Sequence, residues 1–208
     1  MVRIKICGIT NLEDARTALE AGADALGFNF YQRSPRYITP QNARRVIENL
    51  PSSLLTVGVF VNEDGPETVA HIAAEAGVVA VQLHGDESPA YCKAVARYPV
   101  IKTLRVGERF KVGDASDYQT EAILLDTFSP HARGGTGRRF DWNLARQTRE
   151  AVSKLYLAGG LTPENVTEAI AAVQPFAVDV CSGVESAPGR KDAARLRAFV
   201  KAVRGCVK

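Results

Sequence analysis

A cysteine closes a short apolar run near the start of the chain, in Lys5-Ile6-Cys7-Gly8. Strand alternation puts Lys5 and Cys7 on one face and Ile4 and Ile6 on the other. Most free cysteines are small buried hydrophobes, but a thiol at a strand end, followed by glycine, suits a reactive atom opening into a cavity. Cys92, in a helical stretch, and Cys206, near the last residue, read as structural. An aspartate closes a second run, Ala122-Ile123-Leu124-Leu125-Asp126. Burying it unpaired would be costly, so it either caps its strand toward solvent or faces a cavity. In a cavity it would hold a raised pKa and donate a proton. The two residues together offer a base and an acid.

Two further strand ends carry glycines, Ala158-Gly159-Gly160-Leu161-Thr162-Pro163 and Cys181-Ser182-Gly183-Val184-Glu185. Without side chains, Gly159, Gly160 and Gly183 let backbone N–H groups approach an anion, and Ser182 adds a hydroxyl or an amide. A pair of tight turns is the plain alternative; a phosphate cradle is the functional one. In Gln82-Leu83-His84-Gly85, Gln82 and His84 share a face, and His84 would orient substrate, support another polar group or serve structure. Arg36, in a long loop, has the planar fork that suits a carboxylate. Lys5 and Asp179 each precede a strand-end cysteine by two residues. If their strands are neighbours, the two form a buried ion pair that specifies closure and tunes Cys7.

Those positions belong to a repeating pattern. Strands are predicted at 3–7, 25–28, 55–60, 78–83, 101–105, 123–126, 155–158 and 177–181, each followed by a turn and a stretch of helical spacing. Thr10-Asn11-Leu12-Glu13 fits a capping box, with Gly22 as the stop. Thr39-Pro40 and Thr162-Pro163 each place a capping hydroxyl before a first-turn proline. Ala193, Leu196, Phe199, Val200 and Val203 mark a last apolar stripe. An open doubly wound sheet usually shows a glycine-rich dinucleotide turn after its first strand, and none is present. Eight strand–helix units therefore predict an α/β chain that closes into a compact (β/α)8 TIM barrel, one catalytic domain over 1–208. Chemistry belongs at the C-terminal ends of its strands, and the stretch 128–138, with Gly134-Gly135-Thr136-Gly137, reads as a loop able to cover them.

Composition narrows the partners. A net charge of +3, with only the isolated pairs Arg44-Arg45 and Arg138-Arg139, gives no nucleic-acid footprint. No apolar run reaches the ~18 residues of a membrane span. The first residues run directly into a strand pattern, so no signal peptide is expected. The four cysteines show neither metal-type nor disulfide-type spacing, which predicts no metal and a cytoplasmic setting. A monomer is preferred, with a homodimer as the alternative.

The motifs together resemble one family, phosphoribosylanthranilate isomerase of tryptophan biosynthesis. The resemblance spans essentially the whole chain, through Lys5-Ile6-Cys7-Gly8-Ile9-Thr10, Gly27-Phe28-Asn29-Phe30, Ser34-Pro35-Arg36, Val81-Gln82-Leu83-His84-Gly85, Leu125-Asp126, Phe140-Asp141-Trp142 and both glycine turns. It implies a cofactor-free internal redox reaction, the Amadori rearrangement of N-(5-phospho-β-D-ribosyl)anthranilate to 1-(2-carboxyphenylamino)-1-deoxy-D-ribulose 5-phosphate. It further implies Cys7 as general base, Asp126 as general acid, Arg36 at the anthranilate moiety, and a phosphate site at Gly159, Gly160, Ser182 and Gly183.

Two kinds of rival fit the residues less well. The histidine-pathway aminoaldose isomerase uses an aspartate where this chain has Cys7, and its substrate needs two phosphate cradles. Indoleglycerol-phosphate synthase needs a lysine and glutamate constellation that Lys5 alone does not supply. A non-enzymatic binding barrel would lack polar strand ends, against Cys7, Asp126 and the two glycine turns.

Overall fold

Short runs of Val, Ile, Leu and Phe can hide both faces only when paired on both sides and roofed by helices. The structure, a computed structural model, describes residues 1–95, 97–107, 110–126 and 142–206. In it the runs become β1 (Arg3–Ile6), β2 (Ala25–Asn29), β3 (Leu55–Phe60), β4 (Ala80–Leu83), β5 (Val100–Arg105), β6 (Ala122–Asp126), β7 (Leu155–Leu157) and β8 (Ala177–Val180). All eight pair in parallel and in chain order, and β8 returns to β1 with Lys5 opposite Asp179 and Ile6 opposite Val180. The expected (β/α)8 barrel is what forms. The glycine-bearing stretch 128–138 lies outside the described residues.

The fourth strand starts two residues later than the sequence pattern suggests. The helix before it ends on Gly77 in the left-handed region, and the Val78 N–H bonds back to Ala73 O at 3.2 Å. That backbone group is spent on the helix end and cannot join the sheet.

The barrel is roofed by α1 (Leu12–Ala21), α2 (Pro40–Ile47), α3 (Pro66–Ala76), α4 (Pro89–Ala94), α5 (Val112–Ser116), α6 (Trp142–Ala151), α7 (Val166–Val173) and α8 (Ala193–Gly205). Thr39 caps α2 as expected, accepting from the Asn42 N–H. Two other caps differ from expectation. Asn11, not Thr10, caps α1, accepting from the Asp14 N–H at 2.8 Å, while the Thr10 hydroxyl donates to Gly189 O. Thr162-Pro163 forms a turn ahead of α7, which begins only at Val166. In α8, Leu196, Phe199, Val200 and Val203 bury the predicted stripe. Burying each of these large side chains contributes roughly 1.5–3 kcal/mol. None of the described helices is long and apolar enough to cross a membrane.

The pleat divides every strand into an outward row beneath the helices and an inward row filling the barrel. Inward residues low in the barrel are apolar, among them Leu55, Ala80, Ile101, Ala122 and Tyr156. At five strand ends the last inward residue is instead polar or reactive: Cys7, Asn29, His84, Asp126 and Cys181 all line the C-terminal mouth, with Val59 and Ala158 as apolar neighbours. A hairpin that the sequence pattern does not announce, β9 (Glu185–Ala187) with β10 (Arg190–Lys191), follows β8 and folds back beside that mouth.

Candidate active site

The mouth encloses a cavity of about 220 Å³. A larger hollow of about 380 Å³ opens at the opposite end of the barrel, among Leu55, Ile101, Tyr156 and Phe176. The smaller one is the candidate site. It alone joins strand-end polar groups to the loops that follow them, as barrel active sites require.

Cys7 sits at that mouth just past β1, its N–H donating to Val180 O at 2.9 Å. Behind it lies the anticipated ion pair, Lys5 Nζ to Asp179 Oδ1 at 2.9 Å, with Lys5 wholly buried. The neighbouring Cys181 thiol draws the Cys7 pKa well below the ordinary thiol range; burial opposes this, and Lys5 and Lys191 assist. Burial pushes the Asp179 carboxyl up to about 6 against the pull of Lys5. Burial likewise works against the Lys5 ammonium, but Asp179 and Cys7 together hold its pKa above the usual lysine value. Both pKa values rise, which favours the charged lysine but the neutral acid, and the 2.9 Å contact decides: at neutral pH it is an ammonium facing a carboxylate, beside a thiolate-prone sulfur.

Arg36 reaches the same cavity from the β2–α2 loop, which is folded by its own side chains. Asn29 donates to Ser34 Oγ at 3.1 Å, and Ser34 Oγ accepts from the Arg36 N–H at 3.1 Å. The guanidinium is gripped by Glu185, Nε to Oε1 at 2.9 Å and Nη2 to Oε2 at 2.7 Å. Burial would raise the Glu185 pKa, but Arg36 and Lys191 hold it below the usual carboxylate range. Lys191 completes the cluster, its Nζ donating to Cys7 O at 2.6 Å and Glu185 Oε1 at 3.0 Å.

Across the mouth, Asp126 Oδ2 lies 3.1 Å from His84 Nε2. His84 Nδ1 meets Gln82 Nε2 at 3.0 Å, and Gln82 Nε2 also donates to the Thr103 hydroxyl at 3.1 Å. With the amide donating, Nδ1 accepts and the Nε2–H faces the Asp126 carboxylate. Gln82 Oε1 is then buried without a partner. Rotating the amide lets Oε1 accept from an Nδ1–H, and Nε2 then accepts a proton from the Asp126 carboxylic acid. The relay therefore fits both proton states of Asp126.

The glycine turns close the cavity's third side. Gly159 and Gly160 have φ of 87° and 65°, a region that side chains resist. Asn165 locks this turn, donating to Gly160 O at 2.9 Å and accepting from the Thr162 N–H at 2.8 Å. A Cβ at Gly183 would lie 1.9 Å from Leu161 O, so only glycine lets the two loops meet. Ser182 opens a 3₁₀ turn (Ser182–Val184) on the same wall.

The cavity thus gathers Cys7, Asp126, Arg36, His84, Gly159, Gly160, Ser182 and Gly183. Sequence reasoning missed Glu185 and Lys191 as partners. Glu185 follows Cys181-Ser182-Gly183-Val184 directly, which was its one signal; Lys191 had none. No group of three or more His, Cys, Asp or Glu side chains converges as a metal site among the described residues.

The sequence matches the model of the N-(5'phosphoribosyl)anthranilate (PRA) isomerase family over residues 4–202. The N-(5'-phosphoribosyl)anthranilate isomerase of Geobacter sulfurreducens is 53% identical over 205 residues, covering 99% of this chain and 100% of that one. The crystal structure of phosphoribosyl anthranilate isomerase from Thermotoga maritima superposes with a TM-score of 0.92 at 49% identity, covering 99% of this chain and 100% of that chain. A second isomerase structure, in complex with reduced 1-(o-carboxyphenylamino)-1-deoxyribulose 5-phosphate, gives a TM-score of 0.89 at 48% identity, with coverage of 99% and 100%. With its strand-end thiol and carboxyl, its glycine turns and this similarity along its full length, the chain belongs to the N-(5'-phosphoribosyl)anthranilate isomerase family.

Proposed function

We propose that Cys7 and Asp126 carry the proton transfers of this family's reaction, within one catalytic domain spanning 1–208. The reaction is the Amadori rearrangement of N-(5-phospho-β-D-ribosyl)anthranilate to 1-(2-carboxyphenylamino)-1-deoxy-D-ribulose 5-phosphate, a step of tryptophan biosynthesis. Asp126 as the carboxylic acid protonates the ribose ring oxygen, and the C1–O bond breaks to leave an iminium. That electron-poor group acidifies the adjacent C2–H. Cys7 as thiolate removes this proton, and the resulting enolamine tautomerises to the ketone. Electrons move only within the substrate, so the reaction needs no cofactor.

The observation that carries the assignment is the opposed surroundings of the two groups in one cavity. Cys7 lies among a second thiol and two ammonium groups, which favour its anion. Asp126 lies against a histidine relay able to accept or donate a proton. Arg36, oriented by Glu185, takes the anthranilate carboxylate. His84 positions Asp126 and reaches substrate beside it. The backbone of Gly159, Gly160, Ser182 and Gly183 takes the phosphate. The test is turnover of freshly generated anthranilate ribotide, followed by loss of its fluorescence, with Cys7→Ala and Asp126→Asn as inactive variants. Near-wild-type kcat in Cys7→Ala would overturn the base assignment.

The chain is read as a cytoplasmic monomer. Four free thiols suit a reducing compartment. Only Met1, Val79 and Phe176 are exposed large apolar side chains among the described residues, which favours the monomer. A homodimer is the alternative, and the mass in solution by light scattering decides between them.

A further inference from the structure

The reaction needs one thiol, and the cavity holds two. Ile6 pairs with Val180 across β1 and β8, and the Cys7 N–H continues the ladder to Val180 O at 2.9 Å. Cys7 and Cys181 therefore leave neighbouring strands side by side. Paired strands run ~4.8 Å apart, inside the Cα separation of ~4.4–6.8 Å that a disulfide spans. Both cysteines line the mouth cavity, which opens to solvent. Lys191 ties the two strand ends together, donating to Cys7 O at 2.6 Å and Cys181 O at 3.3 Å, with its Nζ 3.9 Å from Cys181 Sγ.

The other two cysteines make the contrast. Cys92 is buried under the helices, and burial pushes its thiol up to about 11. The Cys206 thiol donates to Ala202 O, one turn back at the end of α8. Neither shares a cavity with another sulfur. At the mouth, the Cys181 thiol donates to Glu185 Oε1 at 3.6 Å, and its neighbour Cys7 together with burial holds its pKa well above the ordinary thiol range, which places a nucleophile-ready sulfur beside a second thiol able to answer it.

We propose that Cys7 and Cys181 form a dithiol modification site that a hydroperoxide closes into a disulfide and a dithiol reductant reopens, switching the isomerase off and on. The Cys7 thiolate attacks one peroxide oxygen; the O–O bond breaks, an S–O bond forms, and hydroxide leaves. The Cys181 thiol then attacks the Cys7 sulfur. The S–O bond breaks, the S–S bond forms, and the hydroxyl departs as water with the thiol's proton. The two cysteines lose two electrons in all, and the peroxide gains them. Closure also protects Cys7, because a sulfenic acid without a neighbouring thiol proceeds to the irreversible sulfinic acid. The effect on turnover rests on Cys7 being the base; formation of the bond does not.

The test treats the fully reduced protein with hydrogen peroxide, blocks remaining thiols with an alkylating agent, and reads peptide masses and activity in parallel. The expected result is a Cys7–Cys181 linked peptide and a loss of activity of about 10²-fold or more, restored by dithiothreitol. In Cys181→Ser, measured against its own untreated activity, the loss should persist after dithiothreitol. Cys7 in that variant should carry the sulfinate. The wild-type peptide map does not depend on how well that variant folds. Wild-type protein that yields Cys7 sulfinate and no linked peptide would overturn the proposal. A linked peptide with undiminished turnover would overturn the switch and the base assignment together, while the dithiol itself would stand.

Discussion

Lys5 and Lys102 are both buried on barrel strands, and their surroundings set them apart. Lys102, on the outward row of β5, points into the helix layer. Its Nζ meets Glu87 Oε2 at 2.6 Å and Gly85 O at 2.8 Å, with Leu83 O at 3.4 Å and the Tyr118 ring centre at 5.9 Å. Glu87 Oε1 in turn accepts the N–H groups of Asn62 and Gly85. Each ammonium proton has an acceptor, and the assembly ties down the loop after β4. Lys5, on the inward row of β1, has one carboxylate and one thiol, and both of those partners titrate away from their ordinary ranges. A buried charge saturated by backbone acceptors holds a loop. A buried charge left facing a thiol sets that thiol's reactivity.

The largest expected effects fall on the mouth, on Cys7 beside Lys5 and on Asp126 across from it. Cys7→Ala and Asp126→Asn should each lower kcat by about 10²–10⁴-fold, while the urea midpoint stays near that of the wild type. On the Lys102 side the same scale of energy should appear as stability. Glu87→Ala strands a buried ammonium and should cost ~3–5 kcal/mol in urea unfolding, with kcat of the folded fraction unchanged. Equal losses of kcat in both sets would dissolve the contrast.

Lys5→Met sharpens it. With the Cys7 thiolate as the proposed base, activity falls as pH drops through the Cys7 pKa; removing a cation raises that pKa. The acid limb of kcat/KM should therefore move up by about 1–3 pH units. Asp179, already near 6, rises further and is neutral at pH 7, so no charge is stranded. The folded carboxyl then holds its proton above the unfolded value of about 3.9. Stability of the variant should accordingly be greatest in acid and decline as pH rises through the folded pKa.

Smaller effects come from the periphery. Arg36→Lys keeps the charge but loses the fork held by Glu185, and should raise KM by about 10–100-fold with kcat within a few-fold. Arg3→Ala removes a surface partner of Asp24 and should change stability by ~1 kcal/mol or less.

The working residues were legible where chemistry meets strand periodicity. Cys7 and Asp126 end apolar runs, and two-residue alternation aligned Lys5 with Cys7 and Gln82 with His84. Glu185 and Lys191 were not legible as partners, because they sit on strands of three and two residues that show no period. Lys102 and Glu87 escaped for another reason. They are 15 positions apart, on a strand and in a loop, and no local pattern links them. The α1 cap went to Asn11 rather than Thr10 because the Thr10 hydroxyl is taken by Gly189, which is distant in sequence.

Eight alternating strand–helix units, the strand ends that carry polar groups and the identity of the family all lie in the linear order of residues, since periodicity and motif spacing are local. Closure of β8 onto β1 decided the rest. It set Lys5 against Asp179, 174 residues away, and Lys191 against Cys7, 184 residues away. It also set Cys181 beside Cys7. The electrostatics that favour a thiolate at Cys7 exist only once the ends of the chain meet, because charge acts through distance in space.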